Sequence, residues 1–314
     1  MSRAAWLVVG LAAACSGTAP APADDPTSEP PATSEPPETS DPSDTSDTSS
    51  TEPTSPTDTA VEVTNFAALG PHAVTTRSGT LDLPGCALDF TEYLPDGDAT
   101  APLVVLGHGF QRSERQMTDL ATHAASFGLR VATPDYCHAT VFDSDPAQNG
   151  RDAAALANLL APGAPHVHAG HSNGGLSALF AAAADPDTVG VLGLDPVDTE
   201  GIVGAALPAI TAQIWGVFGE PTDCNENGGL AEPLRGAGAW LDGLVGANHC
   251  DFESPTDLLC TAVCGQQTGA NTGVRAILAA YASYAHGLDP TAASWVPGGE
   301  THAQMVLDGV LVEL

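Results

Sequence analysis

The chain contains no lysine. Its eight basic residues are all arginine, set against 39 acidic residues, for a formal net charge of −31. A nucleic-acid partner is therefore excluded in practice, because phosphate binding needs a basic face. An anionic substrate would be repelled, whereas a neutral ester or amide is easier to accept. None of the seven cysteines forms a CxxC pair, which removes the zinc-ribbon reading. No apolar run approaches the roughly 20 residues that span a bilayer.

Residues 1–15, MSRAAWLVVGLAAAC, have the pattern of a bacterial export signal. Arg3 gives the positive start, and Trp6 to Ala14 form a short apolar core. Small residues precede Cys15, which resembles the lipidation site of a lipoprotein; Ser16 after it is compatible with outer-membrane sorting. The alternative is ordinary secretion with cleavage nearby. Residues 16–61 have no aromatic residue and are dominated by Pro, Thr, Ser, Asp and Glu. Such a stretch cannot bury enough apolar surface to offset its ordering entropy and reads as a disordered, acidic tether. Residues 62–314 are enough for one well-buried domain, expected to be monomeric and to meet the membrane only through the lipid. From residue 63 onward, 28 acidic residues face seven arginines, a formal charge of −21.

Six cysteines remain besides Cys15, at positions 86, 137, 224, 250, 260 and 264. An even number in an exported chain reads as disulfides, with the pairing open. Four lie within 224–264, so that region is expected to be stapled.

Hydrophobic patterning predicts alternating strands and helices. Strands are expected over 101–108, 129–135, 165–170, 189–195, 212–219 and 239–246. Helices are expected over 113–128, 147–161, 174–185 and 274–285, and residues 78–95 look like antiparallel edge strands. Such alternation implies an α/β fold: a mostly parallel sheet with helices on both faces. Sites in such sheets form at the carboxyl ends of strands. The polar residues there are His108, Ser172, Asp195, the Glu220–Asp223 loop and His249.

Between the strand over 165–170 and the helix over 174–185 lies Gly170-His171-Ser172-Asn173-Gly174. A strand–GxSxG–helix turn forces its serine into a strained conformation and leaves the hydroxyl exposed, while the glycines let strand and helix pack closely. Ser172 is thus a candidate nucleophile, and it needs a base. Of ten histidines, only His249, His286 and His302 follow it. His249 follows a strand-like segment directly and is the expected base. For the acid, the residues leave Asp195 open against Glu220 and Asp223.

Four motifs, GHGF (107–110), GHSNGG (170–175), LDPVD (194–198) and His249-x-Asp251, together resemble one branch of the α/β-hydrolase superfamily. That branch includes chlorophyllases, plasma-type platelet-activating-factor acetylhydrolases and bacterial polyester hydrolases. The resemblance spans about residues 100–252. It implies the α/β-hydrolase fold and favours Asp195 as acid, although the polyester hydrolases place theirs after the later strand, where Asp223 lies. It also implies that the backbone N–H of Phe110 is one oxyanion donor; the other expected donor is the N–H of Asn173, directly after the nucleophile. His108 precedes Ser172 in the chain and is expected to shape its loop, and the triad requires no cofactor.

The resulting expectation is an exported, lipid-anchored serine esterase acting on a small or polymeric neutral ester. Residues 196–210, small and apolar, are expected to line its pocket. The rivals are a non-catalytic surface lipoprotein on the same scaffold, and an acyltransferase or amidase using the same triad. A metal site is not expected. His166 and His168 alternate along a strand and Asp135, Cys137 and His138 cluster, yet no further ligand stands at a persuasive spacing.

Overall fold

A computed structural model of the chain describes residues 62–314. The signal and tether expected over 1–61, with the lipidation expected at Cys15, lie outside the described residues. Among the described residues, no helix is long and apolar enough to cross a membrane.

Chain order begins with a hairpin of β1 (Val74–Leu83) and β2 (Cys86–Pro95), followed by β3 (Leu103–Gly107), α1 (Thr118–Ala125) and β4 (Arg130–Pro134). A small hairpin, β5 (Ala139–Thr140) and β6 (Asp143–Ser144), leads into α2 (Pro146–Leu160). Next come β7 (His166–His171), α3 (Asn173–Ala184), β8 (Thr188–Leu194), β9 (Gln213–Phe218), α4 (Ala231–Gly236) and β10 (Trp240–Leu244). The chain ends with α5 (Leu258–Cys264), α6 (Asn271–Ala285), α7 (Glu300–Leu307) and β11 (Leu311–Glu313).

One nine-stranded sheet runs β1-β2-β4-β3-β7-β8-β9-β10-β11. Pairing is antiparallel for β1–β2, β2–β4 and β10–β11, and parallel across the strands between β4 and β10. This is a mixed, mostly parallel α/β sheet. Strand alternation sends side chains to opposite faces. Val104 and Leu106 of β3 pack with residues of α1 and α6, whereas Leu103 and Val105 pack with residues of α2. The central strands are covered on both sides, which is why they read as unbroken apolar runs.

Several boundaries differ from the sequence reading. Of the two strands in this hairpin, β1 alone lies at the sheet edge, since β2 also pairs with β4. The helix expected over 113–128 divides into a 3-10 turn at Glu114–Met117 and α1, with Gln116 Oε1 accepting from Ser113 N at its start. Helix α2 starts with Pro146 behind Asp145, whose side chain accepts from Gln148 N at 2.8 Å. That pairing of an Asp cap with Pro in the first turn supplies a partner for an N–H that the helix leaves free.

Candidate active site

Strand β7 ends in a turn that the glycines make possible. A Cβ on Gly170 would lie 2.2 Å from Gly174 O, and one on Gly174 would lie 2.4 Å from His108 O. Only glycine lets β7, α3 and the loop after β3 approach this closely. Ser172 sits at φ 57° and ψ −125°, left-handed backbone that a serine adopts only when its surroundings hold it there. They do: Ser172 N donates to Leu194 O at 3.0 Å, and Ser172 O accepts from Gly175 N and Val197 N. Gln111 (φ 56°) and Asp195 (φ 46°) share the positive-φ conformation. Three strained residues therefore converge on one end of the sheet.

Asp195 follows β8 and is fully buried. Its Oδ2 lies 2.6 Å from His249 Nδ1. Its Oδ1 accepts from Gly219 N at 3.0 Å and from Asn225 Nδ2 at 3.0 Å. Asp195 thus stands in position to hold the imidazole. Glu220 and Asp223, the other acids considered, are exposed. Glu220 accepts instead from Gly246 N at 2.9 Å. His286 and His302 are engaged elsewhere, with Leu103 O and with Asp242. Burial pushes His286 down to about 4.

Asn173 is the first residue of α3, so its N–H has no carbonyl within its own helix to meet. Phe110 follows Gly109 on the loop after β3. Phe110 lines the same cavity as Ser172. His108 shapes this loop: Nδ1 donates to Gly109 O at 2.8 Å and Nε2 accepts from Tyr136 N at 2.9 Å. Burial lowers its pKa. The His171 ring, next to the candidate nucleophile, packs 4.5 Å from that of His249 and stacks on Phe252. Burial, reinforced by His249, holds it neutral.

A cavity of about 220 Å³ opens over these groups and is lined by Ser172, His249, Phe110, Arg112 and residues of α5. Arg112 is bound through Nε (2.8 Å) and Nη2 (2.5 Å) to the buried Glu253, and through Nη2 to Asp257. Residues 196–210 do not line this cavity. Val203 and Ala206 bury against Leu176 and Leu179 of α3 instead, which corrects the sequence expectation. A second cleft of about 240 Å³, where Glu220 lies, contains no member of the Ser172 cluster.

Three disulfides form: Cys86–Cys137, Cys224–Cys264 and Cys250–Cys260. The last two staple the 224–264 region, as the cysteine spacing suggests. Sequence reasoning missed Asn225 and the Arg112–Glu253 pair, whose roles arise only from contacts distant in the chain.

It also missed Asp185, which joins His166 and His168 in a fully buried cluster at the opposite end of β7. Asp185 Oδ2 is 2.7 Å from His166 Nδ1 and 2.9 Å from His168 Nε2. His166 Nε2 also faces Ala161 O at 2.9 Å. Both His166 nitrogens meet only acceptors, so an imidazolium satisfies them. Burial opposes that charge, but the bonds to Asp185 and Ala161 prevail and raise the His166 pKa. Burial likewise opposes the Asp185 charge, and the two histidines outweigh it and lower its pKa. Asp185 thus pairs with both histidines, while His168 Nδ1, also buried, meets no hydrogen-bond partner.

Searches against protein-family models and against curated proteins find no match to this chain.

Proposed function

We propose that the chain is an exported serine esterase of the α/β-hydrolase superfamily. The observation that carries this reading is the Ser172–His249–Asp195 constellation on a strained strand–helix turn. The strand order, with the third and fourth strands exchanged in space, and the four motifs that resemble the chlorophyllase branch support the same class. The signal-like and tether-like N-terminus supports export and lipid anchoring.

In this mechanism Ser172 Oγ attacks the ester carbonyl carbon as His249 Nε2 takes its proton. Asp195 holds the Nδ1–H and stabilises the imidazolium. The N–H groups of Phe110 and Asn173 meet the oxyanion of the tetrahedral intermediate. Collapse breaks the bond to the alcohol oxygen, which leaves with the proton from His249. Water, deprotonated by the same base, attacks the acyl carbon; the bond to Ser172 Oγ then breaks, His249 returns the proton to Oγ, and the acid is released. Asn225 and Gly219 N keep the Asp195 carboxylate oriented. No cofactor enters this scheme.

Hydrolysis of p-nitrophenyl butyrate by the oxidised full chain, beside Ser172→Ala, tests the reading. The expected loss in the variant is on the order of 10⁴-fold or more. A folded, disulfide-bonded protein that cleaves no ester would favour the non-catalytic display lipoprotein.

A further inference from the structure

Helix α5 departs from the usual logic of an amphipathic helix. Cys260 is its only buried residue. Its large apolar side chains face outward, with Leu258 86 %, Leu259 51 % and Val263 70 % exposed. No apolar core face holds this helix down. Cys260 is bonded to Cys250, the neighbour of His249, and Cys264 to Cys224, the neighbour of Asn225. At its start, Asp257 caps the helix through Leu259 N and Cys260 N and pairs with Arg112. Two covalent links and an ion pair therefore fix a helix whose apolar face is left open.

Leu259 and Val263 line the same cavity as Ser172 and His249, along with Phe110, which is 38 % exposed. The cationic group there, Arg112, is neutralised by Glu253 and Asp257. The cavity thus offers apolar surface beside the nucleophile and no free positive charge for a carboxylate. Exposed apolar surface gains when an alkyl chain covers it.

Resting on the esterase reading, we propose that Leu259 and Val263 determine specificity. They form a disulfide-fastened wall that takes an uncharged alkyl chain of the ester, on its acyl or alcohol side. The preference for long over short chains then resides in α5.

The test compares kcat/KM for p-nitrophenyl octanoate and acetate, and for octyl and ethyl acetate, with the oxidised full chain. The octanoate-to-acetate ratio, or the octyl-to-ethyl ratio, is expected to fall roughly tenfold or more in Leu259→Ala/Val263→Ala. The series that responds identifies the side of the ester that α5 receives. Leu258→Ala, on the same helix but outside the cavity, should leave both ratios where they are. Ester hydrolysis with neither ratio moved in the double variant, or with Leu258→Ala moving them equally, overturns the inference and leaves the esterase reading standing. A wild-type chain that cleaves none of the four esters overturns both.

Discussion

Asp185 shows how a single carboxylate can set the pH response of a fold. The folded-state pKa of His166 lies above its ordinary 6.5, so its contribution is complete below that value and is lost as pH rises through the folded one. Asp185 is depressed below 3.8, so its contribution is complete above 3.8 and is lost as pH falls through the folded value. The two windows overlap between 3.8 and 6.5. Asp185→Asn leaves the buried His166 without its counter-charge, and breaking such a pair costs about 3–5 kcal/mol. Thermal melts should show the largest Tm deficit against the parent chain near pH 5 and a smaller one near pH 9, each pH set by this linkage. An equal deficit at both would contradict an imidazolium at His166. Ser172 was legible as a residue because GxSxG is contiguous and its flanking glycines state their purpose. Asp185 was not, because the contact with His166 and His168 exists only once α3 has packed against β7.

The strand–turn–helix unit of β7 and α3 depends on an approach that no side chain permits. Gly170→Ala would place a methyl group 2.2 Å from Gly174 O, and neither backbone has a flexible end to yield. Overpacking of this kind costs about 1–3 kcal/mol or more. On the proposed esterase reading it also pushes Ser172 away from His249, and a displacement near 1 Å is enough to lower a rate on the order of 10²-fold. Circular dichroism melts and ester hydrolysis on the same preparation should record both losses; full activity in the variant would contradict the geometry. Elements with strong periodicity, such as the buried runs of β3 and β8, were readable from apolar pattern alone. Helix α5 was not read, because its apolar residues face solvent and its stability derives from disulfides whose pairing the spacing leaves open. Helix α7 and β11 escaped for a related reason: they are short, and β11 exists only through its pairing with β10.

Across the whole molecule the three disulfides play unequal parts. Cys86–Cys137 ties β2 to the loop after β4, and neither cysteine lines the Ser172 cavity. The other two flank His249 and Asn225 and carry α5. Each should stabilise the domain by about 2–4 kcal/mol, chiefly by restricting the unfolded chain. Comparable losses of Tm are therefore expected for Cys86→Ser/Cys137→Ser and for Cys224→Ser/Cys264→Ser. Activity at a temperature where both remain folded should fall far more in the second, whereas equal activities would mean that α5 and the Asn225 loop hold their places without the link.

The account stands or falls on Ser172 as an activated nucleophile. The most direct measurement is mass spectrometry of the intact, oxidised chain after treatment with a fluorophosphonate, followed by peptide mapping. The account predicts one phosphonyl adduct, located on Ser172, formed far more slowly in His249→Ala and absent in Ser172→Ala. An unlabelled folded chain, or an adduct that persists in Ser172→Ala, would contradict it.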